Sequence, residues 1–170
     1  MFQVDDYIVY NSNGVCKVLE IGTPDIYGVD KSILYYTLQP VYSKSSVVYL
    51  PVENKKLVIR RIISKEEALV LINDIPNIGT IEALNVKLQE QGYKESMKKN
   101  DCREWIKIIK TLHLKNLQRL SEGKKIGSTD LRYLHEAEDC LFGELSIPLE
   151  IPKEKMEDYI TSRIDLLKTV

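Results

Sequence analysis

The residue types that most often catalyse reactions or bind metals are sparse in this chain and far apart. The two histidines, His113 and His135, lie among leucines, and we interpret each as a packed or surface side chain rather than a ligand or a catalyst. The three cysteines are odd in number and widely spaced, which fits neither a zinc motif nor a disulfide framework; they are Cys16, Cys102 and Cys140. We expect reduced, mostly buried thiols, as in a cytoplasmic protein.

Sequence motifs for catalysis are not found either. The glycines before residue 30 stand singly, so they form no glycine-rich phosphate loop, and the sequence has neither a serine elbow nor an HExxH pair. The crowded carboxylates Glu136, Glu138 and Asp139 are expected on a solvated helix face. The sequence therefore predicts a binding protein rather than an enzyme, with no metal, cofactor or small-molecule substrate.

Charge is distributed unevenly along the 170 residues, although the whole chain has a net charge of −1. Residues 87–125 hold 11 basic and five acidic side chains, whereas residues 126–170 hold five basic and ten acidic ones. A basic segment beside an acidic one is a pattern that the overall charge conceals. No apolar run is long enough to cross a bilayer and no secretory signal is visible, so we expect a cytoplasmic protein without a membrane partner.

The first 63 residues have the composition of short strands separated by turns. Gly, Pro, Asn and Ser interrupt β-branched and aromatic runs every 10 to 12 residues, which is typical of a small antiparallel barrel or a strongly bent sheet. The predicted strands are residues 2–10, 15–21, 33–38, 47–50 and 57–63. An open edge of such a sheet would invite a partner strand, and the alternative is that all edges are closed or blunted.

The rest of the chain has helical periodicity and helix-start signals. Ser64 with Glu67 forms one capping box, and Asp101 with Glu104 is expected to form a second. The helix that Asp101 starts carries an apolar stripe that includes Trp105 and Leu117. Predicted helices cover residues 64–75, about 81–91 (ending near Gly92), 101–123, 128–145 and 153–167. The fold class is thus α+β, with a β module at residues 1–63 and an all-α region at residues 64–170.

Several blocks, in their order and spacing, resemble the CarD family of bacterial transcription regulators. In the β half they are F-Q-V-D-D-Y-I-V-Y at 2–10, N-G-V-C-K-V at 13–18, Y-Y-T-L at 35–38, L-P-V-E-N at 50–54 and R-R-I-I at 60–63. In the helical half the stretch from G-S-T-D at 127–130 to F-G-E-L at 142–145 is similar to the family's terminal block.

The resemblance implies two binding domains. The first, over residues 1–63, would be a Tudor-like domain that binds the β subunit of RNA polymerase by pairing edge strands. The second, over residues 64–170, would contact promoter DNA at the upstream edge of the melted bubble and modulate open-complex stability. The residues expected to bind polymerase are Val47, Val48, Tyr49, Leu50 and Pro51. The residues expected to contact DNA are Lys94, Lys98, Lys99, Arg103, Lys107 and Lys110.

The sequence departs from the family pattern at informative positions. Asp5 stands where the family usually has Gly before an Asp. The family's DNA wedge, a Trp at the start of the second helical segment, is missing there, and Leu84 or Val86 is the candidate replacement. Trp105 is expected in the core of the next helix instead.

Two hypotheses remain open at this stage. In the first, the chain is a transcription regulator that binds both the polymerase β subunit and promoter DNA, and so joins the nucleoid while on polymerase. In the second, it is a polymerase-bound protein–protein adaptor without direct DNA contact, and its lysines form a solvated face that complements the acidic last two helices.

Overall fold

Five short strands and then five α-helices follow one another in the computed structural model, which describes residues 1–10 and 13–168. The strands are β1 (Tyr7–Tyr10), β2 (Val15–Gly22), β3 (Tyr35–Pro40), β4 (Val48–Pro51) and β5 (Ile59–Arg61). The helices are α1 (Lys65–Asp74), α2 (Val86–Lys98), α3 (Cys102–Ser121), α4 (Ser128–Leu149) and α5 (Met156–Lys168), with 3-10 turns at Ile75–Asn77 and Lys153–Lys155. The chain divides into a β unit, Met1–Ile62, and a helical unit that begins at Ile63.

The β unit is one antiparallel sheet with the strand order β4-β3-β2-β1-β5. The α+β class is confirmed, but the sheet is open rather than a closed barrel. Within the described residues, β4 pairs only with β3 and β5 only with β1. These edge strands have four and three residues, and in the described part of the chain they do not pair with each other.

One face of the sheet forms the core of the β unit. Side chains alternate between the two faces of a strand, so β3 buries Tyr36 and Leu38 and leaves Thr37 partly exposed. Leu50 of β4 and Ile8 of β1 join them, each almost fully buried. This packing makes the face of β4 that carries Leu50 unavailable to any partner.

Helix caps in the helical unit agree with the sequence at one site and differ at another. Ser64 and Glu67 form the predicted capping box, with both reciprocal hydrogen bonds present. Asp101 caps α3 by accepting from the amide of Arg103. The predicted second box is wrong, however, because the Glu104 carboxylate bonds to side chains on other turns and not to the Asp101 amide.

Helix α2 lies five to seven residues later in the chain than predicted. Asn85 caps it by accepting from the Leu88 amide, and it continues through Gly92 to Lys98. Gly92 does not end the helix, because its missing side chain makes room for a neighbouring segment: a Cβ at this position would lie 2.9 Å from Cγ2 of Ile81. Close packing, and not helix termination, explains this glycine.

The core of the helical unit is drawn from all five helices. Trp105 is 1% exposed and lies in this core, as expected. Leu117 was expected on the same apolar stripe but is mostly exposed. Helix α4 extends four residues beyond its predicted end and takes Pro148 into its last turn. No helix in the described part of the chain combines the length and the apolarity needed to cross a bilayer.

Candidate functional site

The free edge of β4 is the first candidate binding surface. Leu50 lies opposite Tyr36 in the ladder, and two positions along from it the Val52 amide donates to the Leu34 carbonyl at 2.9 Å. Because hydrogen-bonded pairs alternate along an antiparallel ladder, the N–H and C=O of Tyr49 point away from β3. Pro51, two residues on, has no N–H to offer. The edge thus presents one complete donor–acceptor pair, at Tyr49.

The five residues predicted to bind polymerase divide into two groups. Leu50 and Val48 face the core of the β unit, so their side chains position the strand rather than meet a partner. Val47 and Tyr49 are exposed and lie on the solvent side, and Pro51 is partly exposed. The structure therefore brings these residues together on one edge but leaves Val47 and Tyr49 as its accessible side chains.

A hollow of about 180 Å³ adjoins Tyr49 on the solvent face of the sheet. Glu20, Thr37 and Tyr49 lie side by side on neighbouring strands and form its floor. Pro24 and Asp25 close one side. The two carboxylates give the hollow an acidic character, so a strand that pairs with β4 would meet a site suited to a basic side chain.

The six residues predicted to contact DNA lie along α2, the following turn and one face of α3. Arg103, Lys107 and Lys110 are four and three residues apart, which places them on one side of α3. Arg103 binds Asp74 at 2.7 Å, and Lys94 binds Glu90 at 3.6 Å. Lys110 donates to the carbonyls of Ile75 and Ile78 at the end of the 3-10 turn that follows α1.

Glu104 is the acidic centre of this basic region. Its carboxylate binds Lys107 at 3.1 Å and Lys99 at 3.4 Å, and it accepts a hydrogen bond from Ser96. Burial acts to raise the pKa of Glu104, but the bonds from Lys107 and Ser96 and the charges of Lys107 and Lys99 outweigh it and hold that pKa below its usual range. Of the six predicted DNA contacts, only Lys98 forms no ion pair or side-chain hydrogen bond with the described residues. Most of the positive charge is thus partly neutralised within the unit.

The two wedge candidates are highly exposed. Leu84 is 95% exposed and Val86 is 76% exposed, and they flank the capping residue Asn85. Local structure explains this, because a residue beside an N-cap has no preceding helical turn to pack against. A 12-residue step along α2 separates Val86 from Lys98, so the wedge candidates and the Lys98 region lie about 18 Å apart.

Basic residues that the sequence prediction omitted lie close to Val86. Lys115 and Arg119 of α3 line a hollow of about 320 Å³ together with Val86 and with residues 127–130 at the start of α4. Lys115 binds Asp130 at 2.6 Å, and Arg119 donates to the Lys125 carbonyl. The antiparallel course of α2 and α3 brings positions 86 and 119 together. The short connection at residues 99–101 is the sequence feature that could have predicted this antiparallel pair.

The three thiols are buried or partly buried and form no disulfide. Burial raises the pKa of Cys16 to about 11. Burial, with the nearby carboxylates of Asp139 and Glu136, also raises the pKa of Cys140 to about 11. Cys102 is buried and donates to the carboxylate of Glu144. The raised pKa values keep the thiols of Cys16 and Cys140 protonated at neutral pH.

Comparison with protein families identifies the β unit. The family model of the CarD-like/TRCF RID domain matches residues 2–63, which covers the whole sheet. The helical unit lies outside the matched residues except for Ile63. No curated protein matches the sequence closely enough to count as a relative.

Proposed function

Because residues 2–63 form a CarD-like/TRCF RID domain, we propose that this chain is a transcription regulator that binds the β subunit of RNA polymerase through its β unit. In the same proposal the helical unit contacts promoter DNA and modulates the stability of the open complex. This function would place the chain in the bacterial cytoplasm, on the nucleoid while it is bound to polymerase, and it requires no cofactor.

The observation that carries the proposal is the free edge of β4 within the matched domain. Its Tyr49 backbone pair points away from the sheet, and the exposed side chains of Val47 and Tyr49 flank it. Edge-strand pairing obtains affinity from main-chain hydrogen bonds and specificity from side chains on alternate positions. The acidic hollow beside Tyr49 supports a partner strand that carries Lys or Arg at the facing position.

A pull-down with purified β subunit tests this docking mode. Tyr49→Pro removes the outward N–H without breaking a bond to β3, because that N–H is not part of the internal ladder. We expect it to weaken binding at least tenfold. Tyr27→Ala removes a fully exposed aromatic elsewhere on the same unit and should bind normally. Arg61→Pro makes the same backbone change on the opposite edge of the sheet. Loss of β-subunit binding in Arg61→Pro, but not in Tyr49→Pro, would assign the binding site to β5.

The proposal for DNA contact is supported by the basic composition of residues 87–125 and by the exposed apolar pair at Leu84 and Val86. An apolar side chain beside basic groups is the chemistry that opens a base step while holding the backbone. The relevant basic groups are Arg119 of α3, which lies near Val86, and Lys98 and Lys99 at the far end of α2.

Fluorescence anisotropy with fork-junction promoter DNA, with and without polymerase, tests this contact. Each lost phosphate contact should reduce the slope of log K against log salt by about 0.7–0.9. Charge reversal of Lys98, Lys99 and Arg103 together should therefore lower both affinity and slope. Leu84→Ala should leave the slope unchanged and shorten the open-complex lifetime. Affinity and slope that do not change with charge reversal would exclude this surface.

A second function, a polymerase-bound adaptor without DNA contact, is favoured by the internal ion pairs. Arg103, Lys94, Lys99 and Lys107 already bind carboxylates of the helical unit. Phosphate contact would have to compete with those bonds. DNA binding that is undetectable at about 50 mM salt, combined with normal binding to the β subunit, would establish this alternative.

A further inference from the structure

Three potential metal ligands from three different helices converge at one point of the helical unit. They are His113 of α3, Glu138 of α4 and Glu157 of α5, and one ligand atom of each lies within 4.8 Å of the others. Nε2 of His113 and Oε1 of Glu138 are 3.4 Å apart. They are 25 and 19 residues apart in sequence, so no spacing motif reveals them.

The set has the donor chemistry of a transition-metal site. One imidazole nitrogen and two carboxylate oxygens are the ligand types that Zn²⁺ accepts, at about 2.0–2.2 Å each, with water in the remaining position. Two such ligands around a tetrahedral ion lie about 3.3–3.4 Å apart by this geometry, which is the separation His113 and Glu138 already have. Glu157 is exposed in the first turn of α5, so rotation of its side chain can close the remaining gap of at most about 1.4 Å.

Charge balance also favours a divalent cation at this point. With a protonated imidazole the three groups carry a net charge of −1, and none of the described basic side chains forms an ion pair with Glu157. Lys110, the lysine that lines the adjacent cavity, is held by the Ile75 and Ile78 carbonyls instead. A divalent ion that replaces the imidazole proton would make the group of four neutral.

A cavity of about 390 Å³ borders two of the three ligands. His113 and Glu157 lie among its lining residues, and the remainder of the lining is largely apolar, including Ile106, Leu141 and Phe142. An apolar wall reduces the competition from water on that side and so strengthens the bonds between carboxylates and a cation. The same cavity leaves space for a water molecule at the fourth coordination position of an ion.

We propose that His113, Glu138 and Glu157 form a binding site for a divalent transition-metal ion of the Zn²⁺ type. A bound ion would join α3, α4 and α5 and so stabilise the helical unit against unfolding. This site is independent of the β4 edge and of the basic residues, and it goes beyond the proposed function.

Isothermal titration of the tag-free full chain with ZnCl₂, after chelator treatment, tests the site. We expect one equivalent of Zn²⁺ to bind and to raise the melting temperature. Glu157→Gln and His113→Ala should each weaken binding at least tenfold. Asp158→Asn and His135→Ala change exposed residues of the same types outside the cluster and should leave the affinity unchanged.

Cobalt substitution separates this site from thiol ligation. Co²⁺ bound by imidazole and carboxylates should give visible d–d bands without a thiolate charge-transfer band in the near ultraviolet. A thiolate band that disappears in Cys140→Ser would overturn the proposal. Stoichiometric Zn²⁺ binding that persists in the His113→Ala/Glu157→Gln double variant, or the absence of saturable binding to the unaltered chain, would overturn it equally.

Discussion

Asp5 has an unusual backbone conformation. Its φ is +73°, a left-handed conformation that residues other than Gly adopt uncommonly. Two hydrogen bonds hold the turn. The Asp5 amide donates to the Val18 carbonyl, and the Asp6 carboxylate accepts from the Gln3 amide. This geometry explains why the CarD-like pattern usually has Gly at this position. Here the Asp5 carboxylate binds Lys17 at 2.9 Å, which holds the pKa of that lysine above its usual range.

A matched pair of variants measures the backbone strain at this turn. Asp5→Gly and Asp5→Ala both lose the Lys17 ion pair, but only Gly adopts a positive φ without a steric penalty. We expect Asp5→Gly to be about 1 kcal/mol more stable than Asp5→Ala. The free energies of unfolding in urea provide the comparison. Equal stability of the two variants would mean that the turn changes shape when Asp5 is replaced.

Glu104 gives a pH-dependent prediction at the same scale. Its pKa in the folded chain lies below its usual value of 4.5, so its contribution is present above about pH 4.5 and is lost as the pH falls through the lower, folded value. Glu104→Gln removes the bonds to Lys107 and Lys99 and should cost about 1 kcal/mol at pH 7. The difference between the two proteins should shrink in acid.

Urea titrations of both proteins at pH 7 and near pH 3.5 measure this change. Glu95→Gln, an exposed change on α2, is the control and should have little effect at either pH. A Glu104→Gln penalty of the same size at both pH values would contradict an ionic origin.

At the scale of elements, the packing of α2 against the segment before it depends on Gly92. Replacing Gly with Ala in an exposed helix usually adds up to about 1 kcal/mol of stability. In this helix the new Cβ would meet Cγ2 of Ile81 at 2.9 Å, so the clash should cancel or exceed that gain.

A double-mutant cycle isolates the contact between Gly92 and Ile81. We expect Gly92→Ala to be neutral or destabilising in the unaltered chain and stabilising in an Ile81→Ala background, with a coupling of about 1 kcal/mol. Thermal unfolding of the four proteins supplies the values. Additive effects would show that the segment around Ile81 moves freely away from α2.

At the scale of the whole molecule, the two units have separate cores. The β unit packs around Tyr36, Leu38 and Leu50, and the helical unit packs around Trp105 and its neighbours. Domains with their own cores usually fold alone. We therefore expect fragments 1–62 and 63–170 each to unfold cooperatively, with the short β fragment the less stable because small domains bury a smaller share of their surface.

Circular dichroism melts of each fragment and of the full chain test this expectation. The helical fragment should keep the melting temperature of its transition in the full chain within a few degrees. A 1–62 fragment that is unfolded in buffer but folded in the full chain would show that the β unit needs the rest of the protein.

Features that depend on a few neighbouring residues could be predicted from the sequence. The strand–turn rhythm, the Ser64–Glu67 capping box and the core position of Trp105 follow from local preference and periodicity, and the structure shows all three. The CarD-like blocks likewise identified the β unit, because the strands and turns of this domain require particular residue types in a fixed order. Gly92 was misread because a glycine that ends a helix and a glycine that admits a neighbour look the same in sequence.

Tertiary structure alone decided how charges and ligands are paired. Arg103 binds Asp74, Ser96 donates to Glu104, and His113 meets Glu138 because particular faces of α1, α2, α3 and α4 come together. A sequence shows how many charges a helix carries but not which of them a neighbouring helix neutralises. For the same reason the strand spacing left open whether the strands form a closed barrel or a bent sheet, and the structure has an open sheet. Whether two edge strands pair depends on long-range hydrogen bonds, and these depend on the twist and tilt of the strands throughout the sheet.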